Sequence, residues 1–81
     1  MKNYAALIDY NFLSAHNVTV TQAAKCPWQF FLSHPDLPRA RFAYYPSTGS
    51  VVWEGDNGPS SSFHVNDEEE LVALIQSKIN L

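Results

Sequence analysis

Cys26 and three histidines, His16, His34 and His64, are the side chains of this sequence with the widest chemical repertoire. Together they could ligate a metal. Zinc sites draw Cys and His from close, repeated spacings, because two ligands on one short loop already fix half of the tetrahedron. Here no two of the four lie nearer than eight residues apart, and there is neither a CxxC nor an HxxxH. The expectation is no metal and no cofactor. The three glycines, Gly49, Gly55 and Gly58, fall in turn-like stretches rather than in a phosphate-cradling loop.

Two sets could support nucleophilic catalysis. Cys26 with His34 would make a thiol–imidazole pair, and a serine of Ser60–Ser62 with His64 and Asp67 would make a Ser–His–Asp set. Such sets are defined by three-dimensional roles, and proximity in sequence does not supply them. Residues 60–62 read as a polar loop entering a strand. A chain of 81 residues also leaves little room for a substrate pocket of about 300 Å³ or more. The expectation is therefore a protein that is not an enzyme, with a small Cys/His enzyme as the second alternative.

The charges narrow the partners. Eight acids oppose five bases, for a net charge of −3, enough for solubility but not for defining a ligand. Lys2, Lys25, Arg39, Arg41 and Lys78 are scattered, whereas nucleic-acid affinity rests on clustered Lys and Arg meeting several phosphates. TVTQAAKC, residues 19–26, has the Thr cap and small residues with which a helix-turn-helix opens. Pro27-Trp28 then stand where the turn belongs, and PWQFFLSH holds no Arg or Lys to reach bases. A nucleic-acid-binding regulator using the 20–34 region is the first alternative. The acidic run Asp67–Glu70 is accounted for by a helix start.

The elements that must position these side chains are clearest at the C-terminal end. Leu71, Ile75 and Ile79 make one apolar stripe with Val72 beside it. Asn66 fits an N-cap with Glu69 three residues on, and Glu68, Glu69 and Glu70 suit the positive end of a helix dipole. The spacing predicts a helix at about 67–79. RARFAYY and SVVWEG flank PSTG, a hairpin connection. Phe42 and Tyr44 alternate with Arg41, Ala43 and Tyr45. Val51 and Trp53 alternate with Ser50, Val52 and Glu54. Residues 55–61, GDNGPSS, read as a loop, and SSFHV as a third strand with Phe63 inward and His64 outward. The helix stripe then covers the Phe42/Tyr44/Trp53/Phe63 face.

The first half is ambiguous. Residues 4–13 fit a strand or a helix, and the aromatics favour a strand. For 21–34 the pattern predicts a short helix, capped by Thr21 and restarted at Pro27, with Trp28, Phe31 and Leu32 at i, i+3 and i+4. Whether Trp28 and Phe30 are core or interface stays open. The fold class expected is α+β: a three- or four-stranded antiparallel sheet with the C-terminal helix and a shorter helix at 21–34 on one face, in a single domain, 1–81.

The composition suits one small core, with 46% hydrophobic and 14% aromatic residues. One cysteine permits no internal disulfide. The segment YAALIDYNFLSA is interrupted by Asp9 and Asn11, so no leader or membrane span is expected, and the expected location is the cytoplasm. The function expected is non-catalytic protein binding by a small acidic inhibitor, adaptor or regulator, a type that includes phage- or plasmid-encoded inhibitors of host defence complexes. The partner would be another protein or protein complex, and a homodimer through the outer face or a sheet edge is a further route. The candidate protein-binding residues are Arg41, Tyr45, Val52, Glu54, Asp56 and His64, a mix of aromatic, charged and β-branched groups of the kind interfaces favour.

Overall fold

The computed structural model describes residues 4–54 and 60–80. A short 3-10 helix, Tyr4–Leu7, leads into helix α1, Tyr10–Ala15. Five strands follow: β1 Thr19–Gln22, β2 Phe30–Ser33, β3 Arg41–Tyr45, β4 Ser50–Glu54 and β5 Ser61–His64. Helix α2, Glu68–Ile79, closes the chain. The strands form one antiparallel sheet in the order β1-β2-β3-β4-β5, each paired with its neighbour in sequence. The architecture is α+β, and the sheet has five strands where three or four were expected.

The extra strands come from the segment read as a helix over 21–34. It is a hairpin: Thr19–Gln22 pairs with Phe30–Ser33 in the register Thr19↔Ser33, Val20↔Leu32, Thr21↔Phe31 and Gln22↔Phe30. Pro27 and Trp28 lie in its turn, closed by the Ala23 N–H donating to the Gln29 carbonyl at 3.0 Å and the Gln29 N–H to the Cys26 carbonyl at 2.9 Å. The physical reason is the period. Phe30 and Leu32 are both fully buried while Phe31 is only half-buried, the two-residue alternation of a strand rather than the stripe of a helix. Phe30 is core, and Trp28, in the turn, is 45% exposed.

The strand favoured for residues 4–13 is instead helical. Asp9 caps α1, its carboxylate accepting from the Phe12 N–H at 3.1 Å. Ile8 and Leu13 thereby join the core. The C-terminal helix forms as expected but starts one residue later. Asp67 is the N-cap and accepts from the Glu70 N–H at 2.9 Å, while Glu70 Oε1 accepts from the Asn66 N–H at 2.9 Å.

The hairpin β3–β4 turns where PSTG stands. Thr48 and Gly49 N–H groups both donate to the Tyr45 carbonyl, at 3.1 and 2.8 Å. Gly49 has φ of +77°, and a Cβ there would collide with the Val65 carbonyl oxygen, so this position requires glycine. The register Phe42↔Trp53, Tyr44↔Val51 and Val51↔Phe63 puts the expected apolar residues on one face. That face packs with Leu71, Val72 and Ile75 of α2 and with Ile8, Leu13 and Val18 in one core. Lys78 lies over the rim of this layer, its Nζ 4.8 Å from the Phe63 ring centre and 5.7 Å from that of Trp53. Among the described residues, no helix is long and apolar enough to cross a membrane.

Candidate functional site

Alternation leaves the opposite face of the sheet with a different population. Across all five strands runs the row Thr21, Phe31, Ala43, Val52, Ser62, each residue in register with the next. Its three central members are apolar. Ala43 is only 3% exposed, although it lies outside the core cluster to which α1 and α2 contribute. Its short side chain lies between the larger Phe31 and Val52 on the neighbouring strands. Towards one end of the strands Arg41 pairs with Glu54, the guanidinium Nε donating to the carboxylate at 3.1 Å. The Arg41 guanidinium also sits over the Phe31 ring, 4.6 Å from its centre. Towards the other end Tyr45, Ser50 and His64 are in register, and the Tyr45 hydroxyl accepts from Gln29 Nε2 at 2.9 Å.

Arg41, Tyr45, Val52, Glu54 and His64 thus share this outer face. Asp56 lies outside the described residues. The sequence reading missed Phe31, the largest apolar side chain there. A helix at 21–34 assigned it to the core; only pairing β2 with β3 turns it outward. Arg41 and Glu54, with side chains 57% and 42% exposed, contribute little to stability, since exposed pairs are typically worth under about 1 kcal/mol. Their importance is to fix a positive and a negative group at known places beside an apolar strip.

The other candidate chemistry is not assembled. Cys26, a free and half-buried thiol, precedes β2 and His34 follows it, so a strand of four residues, about 13 Å long, stands between them. His34 is buried, and its Nδ1 accepts from the Asp36 N–H at 3.0 Å, stabilising the turn after β2. His16 bonds the Phe12 carbonyl through Nδ1 at 2.9 Å. Asp67 is occupied by its helix cap, and Ser62 and His64 are exposed on the outer face of β5. No group of three or more Cys, His, Asp or Glu that could hold a metal occurs among the described residues.

The acidic run is likewise engaged locally. Asp67 and Glu70 bond backbone N–H groups at the start of α2, and Glu68 Oε1 accepts from the Asp9 N–H at 3.3 Å. Two of these carboxylates, Glu68 and Asp67, act on the phenol of Tyr44. Burial first, and then the charges of Glu68 and Asp67, hold Tyr44 above its ordinary value of 10.0. Compared with protein-family models, curated proteins and solved structures, the chain finds no match.

Proposed function

We propose that the protein is a non-catalytic binding module, an inhibitor, adaptor or regulator, that captures another protein on the outer face of its sheet. The supporting observation is the apolar row Phe31–Ala43–Val52 in register across the three central strands, its Phe31 and Val52 only partly buried, bordered by the Arg41–Glu54 pair and by Tyr45. An apolar strip rimmed by polar groups is the ordinary anatomy of an interface, in which a few aromatic and Arg side chains carry most of the energy. A rigid sheet also presents such groups without the ordering cost of a loop.

The test is affinity capture from a lysate of the native host with the tagged protein and with a Tyr45→Ala, Glu54→Arg variant. Both side chains are outside the core, so the variant keeps its fold. The reading expects one stoichiometric protein that the wild type retains and the variant loses. Retention of that protein by the variant rejects this face as the binding surface.

A further inference from the structure

We infer that the outer face is self-complementary, and that in the absence of another partner a second copy of this chain covers it, stacked sheet on sheet about a two-fold axis running parallel to β3 and β4 and between them. The inference rests on the reading of this face as an interface and names one occupant for it.

The strand register supplies the complementarity. A two-fold interface is isologous, so a group that contacts its mate from one side is contacted by the same mate from the other. An axis between β3 and β4 lays each residue of β3 over the copy of its own β4 partner. Arg41 then faces Glu54 of the second chain, and Glu54 faces Arg41. Ala43 faces Val52, and Tyr45 faces Ser50. Each pair matches opposite charge with opposite charge or a small side chain with a larger one. The same axis carries β2 over β5 and sets Phe31 against Ser62. An axis turned by a right angle, along the Ala43–Val52 row, instead places Arg41 over Tyr45 and Glu54 over Ser50, and leaves both charges unanswered. Stacked sheets cross at about 30°. Near the axis that rotation displaces the charged pair by only a few ångströms, which the long Arg41 side chain spans.

The size of the face sets the strength. The axis leaves β1 with no strand opposite, so four strands about 4.8 Å apart and four or five residues long meet, roughly 300 Å² per chain, well under half of the ~800 Å² per partner of a standard stable interface. The dimer is therefore weak and concentration-dependent, and a tighter partner displaces it.

Sedimentation velocity on the purified full chain tests this over roughly a hundredfold range of concentration, where mass action makes a weak dimer visible. The wild type is expected to shift from monomer towards dimer. R41E and E54R each set like charges face to face across the axis, and each is expected to weaken association by about tenfold or more. An equimolar mixture of R41E and E54R is expected to associate again, because the acids of one variant face the bases of the other. The exchanged variant R41E/E54R keeps its in-chain pair and is expected to dimerise like the wild type. Circular dichroism of each single variant checks that the sheet is intact. A chain that stays monomeric throughout, or a mixture no more associated than its components, overturns the inference. If a captured protein is meanwhile lost from the Tyr45→Ala, Glu54→Arg variant, the binding face stands and only the second copy fails. If the chain dimerises through these charges but captures nothing, the dimer stands and the adaptor reading fails.

Discussion

Along β3, neighbouring residues meet opposite fates. Phe42 and Tyr44 are buried beneath α2, whereas Arg41 and Tyr45 are left at the surface of the same strand. The same contrast holds in β2, where Phe30 and Leu32 are fully buried and Phe31 is not, and in β4, where Val51 is buried and Val52 only partly. A β-strand divides its side chains between two faces whatever their type. What differs is the cover. α2, α1 and the 3-10 helix all contribute to the core on one side, while the other side keeps an apolar strip and an ion pair. In this small sheet one face packs into the core, and the other holds Phe31, Val52 and the Arg41–Glu54 pair outside it.

The largest test of that contrast is truncation on each face. Phe42→Ala removes a fully buried ring from between Leu32 and Trp53 and is expected to cost about 3–5 kcal/mol in chemical denaturation. Val52→Ala, one strand away on the outer face, is expected to cost under about 1 kcal/mol. Equal losses would show that the fold depends on the outer face no less than on the inner one.

A subtler test uses Tyr44, whose hydroxyl titrates beneath the acidic start of α2. Its folded value lies above 10.0, so the native state holds the phenol proton more tightly than the unfolded chain does. The resulting stability is fully present below pH 10 and is lost as pH rises through the folded value. Thermal melts from neutral pH upward should show the wild type losing stability relative to Tyr44→Phe once the pH passes that of an ordinary phenol. Parallel curves for the two proteins would contradict the burial and charge assigned to this group.

The smallest effect belongs to the outer ion pair. A double-mutant cycle on Arg41 and Glu54 is expected to give a coupling of about 0.5 kcal/mol in the free monomer, falling with added salt. A coupling of several kcal/mol would mark the pair as part of the fold rather than of the surface.

Legibility in the sequence followed the same division. α2 was readable because its stripe spans more than two turns and its acids crowd one end, although the cap lies at Asp67 and not at Asn66. The β3–β4 hairpin was readable because clear alternation flanks PSTG, and this placed Arg41, Tyr45, Val52 and Glu54 together, with His64 added by the reading of SSFHV as the next strand. The β1–β2 hairpin was not. Phe30, Phe31 and Leu32 are contiguous, so they fit the period of either element, and Pro27 suits a helix start as well as a turn. Only pairing with β3, a contact between segments distant in sequence, resolves the choice and turns Phe31 outward. α1 was hidden for a related reason: at six residues it is too short to repeat the helical period and is held by the Asp9 cap and by packing of Leu13.

The most direct measurement for the central claim is a methyl-resolved NMR titration of the labelled protein with its captured partner. Ala43 and Val52 report the outer face, and Leu32, Val51 and Leu71 report the core. The account predicts that the Ala43 and Val52 methyls shift or broaden while the core methyls hold their positions. Shifts centred on α1 or α2, with Ala43 and Val52 unchanged, would contradict it.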